Sequence, residues 1–309
     1  MISVKTFIYG WNRFFFSQTD ASALCLFRIF MGFFLFLNGI SLVEDIEYWF
    51  GTGANSLVPL ADSLSFYRGF RINLFKLMSP TETSAWIILL TYITSSFSLM
   101  VGYKTKISTI ISFILLVSLQ NRNYVILNSG DTILRCMLFV LIFAPSNVKY
   151  SVDAWLAKMH GIIPETKIPI LTVRLLQLQF SLVYLATTLF KLKGYDWVDG
   201  TAVYYTSRLV NFQRMPIPLI FDFVFLVQMA TWSALIIEFA MGTLIWVKEF
   251  RKWVLLAGLI LHLGIEVTMS IGFFEWVMIS AYVLFLEPYE FRFFISWFRS
   301  LSVKKFRRA

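Results

Sequence analysis

Charge is what this chain of 309 residues has least of. Asp, Glu, Lys and Arg make up 15% of it, where soluble domains carry about a quarter. So little polar surface cannot cover a water-soluble globule of this length. Cysteine is nearly absent as well. Cys25 and Cys136 both sit in apolar runs, which excludes a disulfide scaffold. With His160 and His262 beside them, little remains from which to build a Cys/His zinc site. The chain also lacks the alternating segments of an outer-membrane barrel. It has no internal repeat, no low-complexity linker, and no phosphate loop, zincin motif or serine-nucleophile elbow. Acidic residues number 18 against 27 basic ones, a net charge of +9. The basic residues cluster beside apolar spans, so they read as membrane-orientation signals rather than as a nucleic-acid surface.

What is present is apolar sequence. Hydrophobic residues are 58% of the chain and the mean hydropathy is +0.71. Apolar runs repeatedly reach about 20 residues, enough to cross a hydrocarbon core as a helix. The expected fold is all-α: a polytopic membrane bundle of about eight helices, with seven to nine as the range. The spans read as Ala21–Val43, Ala85–Tyr103, Ile107–Asn121, Leu127–Ala144, Val173–Phe190, Pro218–Val247, Trp253–Met269 and Phe273–Leu286. Pro216 and Pro218 belong at the start of the long sixth segment, which is either one tilted helix or a short interfacial piece entering a span at Ala230. Lys5, Arg13 and Asp20 precede the first span, and no small-residue cleavage site follows it, so the N-terminus reads as retained.

Residues 1–288 form one transmembrane domain in this reading. Residues 289–309 form a basic, aromatic-rich tail, expected as an amphipathic helix on an anionic inner leaflet. The stretch Glu44 to Ser84 mixes the acidic cluster Glu44, Asp45 and Glu47 with Tyr48, Trp49, Phe50, Phe66, Tyr67 and Phe70. That composition suits re-entrant or interface-lying structure. With eight spans and both termini cytoplasmic, basic residues in the inner segments outnumber those in the outer ones by about two to one, in the expected direction. Arg122 falls in an outer loop on this count, and Lys191 to Arg214 lies outside. The chain is expected in the cell membrane.

Ionisable residues inside spans are costly unless paired or hydrated, and each is a functional candidate. They are Arg28 in the first span, Asp131 and Arg135 in the fourth, Glu238 in the sixth, His262 and Glu266 in the seventh, and Glu275 in the eighth. Asp131 and Arg135 stand four apart and can pair; so can His262 and Glu266. An imidazole held by a carboxylate can relay a proton, but any of these groups can equally lock helices together. The segment Lys191-Leu192-Lys193-Gly194-Tyr195-Asp196-Trp197-Val198-Asp199-Gly200 closes the fifth span. A lysine ammonium withdrawn from water there can lose its proton and act as a base. The competing reading is that Lys191 snorkels to the headgroups.

These residues resemble the HTTM (horizontally transferred transmembrane domain) family, whose best-known members are the vitamin K-dependent γ-glutamyl carboxylases. The matching patterns run in order. They are Phe27-Arg28-Ile29-Phe30-Met31-Gly32, Asn128-Ser129-Gly130-Asp131 and Ser151-Val152-Asp153-Ala154-Trp155, then Gln177-Leu178-Gln179-Phe180 through Tyr184, Lys191-Leu192 and Trp197 to Gly200. His262 with Met269-Ser270-Ile271-Gly272-Phe273-Phe274 and Met278 completes the set. The resemblance implies a helical membrane core in which Lys191 acts as base toward a quinol or vitamin K-like lipid. In that reading His262 and Glu266 stand behind the base as catalytic candidates, with Arg28, Asn128, Asp131, Trp197 and Glu238 as candidates for binding cofactor or substrate. The chain departs from the carboxylases in lacking a large C-terminal soluble region and in carrying Asn128 and Asp131 where they have an Asn-His pair. Short members of the family also serve the maturation or export of a secreted antimicrobial peptide, of the sporulation-delaying type. Three functions are therefore weighed: a membrane enzyme acting with a quinol-type lipid, a non-enzymatic partner of a secreted peptide or small protein, and a proton-coupled transporter. The last ranks lowest because transporters usually show internal repeats.

Overall fold

The computed structural model describes residues 4–51, 56–59, 71–78, 81–216 and 222–290. The basic tail from residue 291 onward, Pro218, and the aromatics Phe66, Tyr67 and Phe70 lie outside the described residues. The chain divides into two compact units, residues 1–175 with 286–309, and residues 176–285.

The first unit opens with helix α1 (Val4–Phe16) and a short strand β1 (Gln18–Asp20), followed by α2 (Ser22–Ser41), α3 (Ile46–Phe50), α4 (Glu82–Val101), α5 (Thr105–Arg122), α6 (Ser129–Ile142) and α7 (Val152–Met159). Strand β2 (Lys167–Pro169) pairs antiparallel with β1, Thr19 facing Ile168. Helices α2 and α4 approach closely because Gly32 has no side chain. A β-carbon there would lie 2.4 Å from the Met100 backbone nitrogen, the small-residue contact by which apolar helices pack without a hydrophobic drive. Gly102 ends α4 in the left-handed conformation at φ 74, as helix C-termini favour.

Side chains cap several helix starts of this unit. Thr81 caps α4 and Ser151 caps α7. Asn128 and Asp131 form a reciprocal capping box on α6, with Asp131 N donating to Asn128 Oδ1 at 3.0 Å. This corrects the expected Asp131–Arg135 ion pair: the carboxylate accepts the Asn128 backbone N–H instead. Asp153 reaches back to the start of α5, accepting from the Lys104 and Thr105 backbone N–H groups and the Thr105 hydroxyl.

Two arginines are fully buried here. Arg28 donates to the Tyr150 carbonyl at 2.5 Å, so its partner is a main-chain oxygen and not an acidic side chain in direct contact. Arg122, counted with an outer loop, is the last residue of α5. It is buried and donates to the carbonyls of Val58, at 2.8 Å, and Gly51. Asn121 and Asn123 beside it donate to the carbonyls of Ile72 and Trp49. The end of α5 is thus a polar clamp for the described parts of the segment between α2 and α4.

The second unit holds the greater part of α8 (Leu171–Lys191), then α9 (Tyr195–Val198), α10 (Ala202–Ser207), α11 (Val224–Gly242), α12 (Lys248–Thr268) and α13 (Phe274–Ala281), which runs into a 3-10 turn at Tyr282–Phe285. Helices occupy each of the eight expected span positions. Among the described residues, four are long and apolar enough to cross a membrane by length and composition: α2, α4, α8 and α11.

Candidate functional site

Helix α8 carries its polarity on the buried side. Gln177, Ser181, Tyr184 and Thr188 are all buried, while Leu175, Leu182, Leu189 and Phe190 are exposed. The spacing of three and four residues puts the polar groups in one stripe, which continues to Lys191. Helix α12 repeats the arrangement, with Gly258, His262 and Glu266 buried and Leu256, Ile260 and Val267 outward. Such inverted polarity suits an apolar solvent, where ionisable groups turn to the bundle interior.

His262 is the centre of this polar interior. Its Nε2 meets the Tyr184 hydroxyl at 2.5 Å and its Nδ1 meets Glu275 of α13. The carboxylate partner expected from spacing was Glu266, and this is corrected. Glu266 instead pairs with Arg214 at 2.6 Å, on a segment that also bonds backbone-to-backbone with Thr268 and Ser270. An ionised Glu275 can only accept, so the His262 proton then sits on Nδ1 and Nε2 accepts from Tyr184. Phe180 and Tyr282 enclose the chain of bonds, their ring centroids 4.8 and 6.3 Å from Tyr184 and His262 respectively. Gly258 makes room for this: a β-carbon there would lie 2.6 Å from the Tyr282 hydroxyl.

Two turns further along α8, Lys191 Nζ lies 2.5 Å from Glu238 Oε1 of α11 and 4.4 Å from the Trp197 ring centroid. Three carboxylate oxygens in this unit, Glu238 Oε2, Glu266 Oε2 and Glu275 Oε1, are buried with no hydrogen-bond partner among the described residues. Buried polar atoms of this kind are seldom left unpaired without a reason.

The structure therefore gathers Lys191, Trp197, Glu238, His262 and Glu266 into one unit. Arg28, Asn128 and Asp131 belong to the other, where they bond to backbone and helix ends. Sequence reasoning left Tyr184 and Arg214 out of the site, and counted Glu275 among the ionisable candidates without joining it to His262. The stripe Gln177–Ser181–Tyr184–Thr188 was the available signal for Tyr184, and an acid one turn into a span was the signal for Glu275. Nothing in the sequence marks Arg214.

A model of the HTTM domain matches residues 16–289. The chain belongs to the HTTM family. It is 24% identical over 284 residues to the sporulation-delaying protein SdpB of Bacillus subtilis (strain 168), covering 88% of this chain and 83% of that protein. It is 21% identical over 214 residues to the uncharacterized protein YitO of the same organism, covering 67% and 68% of the two chains. No solved structure matches significantly.

Proposed function

We propose that this HTTM protein is a multi-pass protein of the cell membrane that acts in the maturation of a secreted peptide, with Tyr184, His262 and Glu275 handling a proton in the membrane interior. The observation that carries the chemistry is His262, held at both ring nitrogens by a carboxylate and a phenol, all three buried. Glu275 fixes the ring and its tautomer, His262 exchanges a proton at Nε2, and Tyr184 carries that proton toward or away from a bound group. The similarity to SdpB, spread over most of both chains, supports the peptide context. The excess of basic residues in the alternate loops supports eight spans with both termini cytoplasmic.

The family resemblance also implies a quinol or vitamin K-like lipid with Lys191 as the base. A base needs a free amine lone pair. Here Nζ stands at ion-pair distance from Glu238 and over the Trp197 ring, the contacts that an ammonium makes. The residues around Lys191 do not fit that role.

The test is complementation. The encoding gene is deleted in its host, and the secreted peptide is followed in the medium by mass spectrometry. His262→Ala and Glu275→Gln are expected to lower its yield about a hundredfold, the usual share of a general acid–base, at unchanged membrane abundance. Tyr184→Phe keeps the ring packing and is expected to give a milder loss. A wild-type yield from His262→Ala would sink the proposal.

A further inference from the structure

Helix α1 buries none of its residues against the rest of the described chain. Val4 is 74% exposed, Phe7 63%, and Ile8 and Trp11 51% each. At 100° per residue, Val4, Phe7, Ile8, Trp11 and Phe15 fall within an arc of about 100°. Thr6, Tyr9 and Arg13 lie opposite, and Lys5 and Asn12 border the stripe beside Ile8. The stripe is continuous: the tilted rings of Phe7, Trp11 and Phe15 follow one another along it at 6.2 and 4.6 Å between centroids. Thirteen residues make a helix of about 20 Å, too short to cross a core of about 30 Å.

The rest of the first unit fixes where this stripe can go. The C-terminal end of α1 is held by Arg174, whose guanidinium lies 4.4 Å from the Phe14 ring centroid and whose Nε donates to the Phe14 carbonyl. Six residues beyond α1 the chain enters α2, long and apolar enough to cross the membrane. The junction is fastened by the β1–β2 pair, by Ala21 N donating to Thr166 O, and by Lys149 on Asp20 at 2.6 Å. The stretch that ends in β2 presents a second surface of the same kind. Trp155 and Met159 on α7, with Ile162 and Ile163 after it, are exposed beside Lys158 and Lys167.

We infer that α1 lies in the plane of the membrane, its aromatic stripe in the headgroup–acyl boundary and Lys5 and Arg13 on anionic phospholipid headgroups, with the Trp155–Ile163 segment on the same leaflet. The partner is the lipid surface because the span that follows α1 holds it there, and because apolar aromatics flanked by basic residues match an anionic interface in both respects.

The full-length protein, reconstituted in vesicles of phosphatidylcholine and phosphatidylglycerol, tests this. Single cysteines at Ile8 or Trp11, and at Thr6 or Tyr9 for the opposite face, are introduced into a Cys25→Ala/Cys136→Ala background and labelled with an environment-sensitive fluorophore. Lipids carrying a nitroxide near the headgroup are expected to quench the Ile8 and Trp11 labels at least about twofold more than those at Thr6 and Tyr9. Replacing Lys5 and Arg13 with Gln is expected to reduce the docked fraction relative to the undocked by up to about fivefold per charge, an effect absent in pure phosphatidylcholine. Equal quenching of both faces by aqueous iodide would show a solvated helix. Shielding of the stripe from both quenchers would show a protein surface covering it. Either result overturns the inference.

Discussion

The Lys191–Glu238 pair can be dismantled one half at a time, with a different cost for each half. The side chains are 25% and 10% exposed and 2.5 Å apart. Removing one member of a fully buried pair costs about 3–5 kcal/mol, because the other charge is left uncompensated. Lys191→Met strands the less exposed partner and is expected to cost about 3 kcal/mol. Glu238→Gln strands an ammonium that still reaches water and the Trp197 ring, and is expected to cost about 1–2 kcal/mol. The double replacement by Met removes both charges and should fall within about 1 kcal/mol of wild type. In thermal unfolding of the detergent-solubilised protein, 3 kcal/mol corresponds to a drop of roughly 6–12 °C. The expected order of stability is Lys191→Met, then Glu238→Gln, then the double variant level with wild type. A double variant as unstable as Lys191→Met, or single variants that melt like wild type, would refute the pairing argument. The same series probes chemistry. Lys191→Arg keeps the charge and cannot release its proton, so peptide maturation that survives it assigns Lys191 to pairing, whereas its loss at normal stability assigns a proton to Lys191.

Three further outcomes are expected. Gly32→Ala places a methyl group against the Met100 backbone and should force α2 and α4 apart at a cost of about 1–3 kcal/mol; wild-type melting of that variant would refute the contact. Burial alone would raise the Asp20 carboxyl, but hydrogen bonds from Lys149 and Ser22 outweigh it and hold the group below its ordinary value of 3.8. Its contribution is therefore full above that value and disappears as pH falls through the lowered one. Asp20→Asn should thus destabilise at pH near 7 and cease to matter in strong acid, as melting at both pH values would read. A cysteine introduced at Gly194 should be labelled from outside the cell and one at Ser300 should not; the reverse would overturn the orientation.

The helices were legible because a run of apolar residues near the length of a bilayer leaves few alternatives. The observed helices begin and end within a few residues of the expected spans wherever a strong terminator is present, such as Gly102 at the end of α4. Larger misses of five residues each remain: α11 closes at Gly242 where Val247 was expected, α12 opens at Lys248 where Trp253 was expected, and α13 closes at Ala281 where Leu286 was expected. Pairings were much less legible. Residues four apart on one helix share a face, and a shared face in a bundle points at other helices. His262 and Glu266 therefore find Glu275 and Arg214 rather than each other. Asp131 is taken by the helix start it occupies before Arg135 can compete.

The charge count gave Arg122 a side but no partner. An orientation rule assumes that a loop charge meets water, whereas this guanidinium meets two backbone carbonyls at the edge of the bundle. In α8 and α12 polar residues turn to the interior. The stripe of α8 and the buried face of α12 carry the groups that a soluble protein would expose, and their outward faces carry leucine, isoleucine and phenylalanine. Reading such a sequence by hydrophobic periodicity finds the lipid face first. The site lies on the opposite face, so the residues to assign are the polar ones that interrupt each span at helical spacing. Applied to α8, that rule selects Tyr184 as readily as Lys191; on α13 it selects Glu275, which completes the hold on His262.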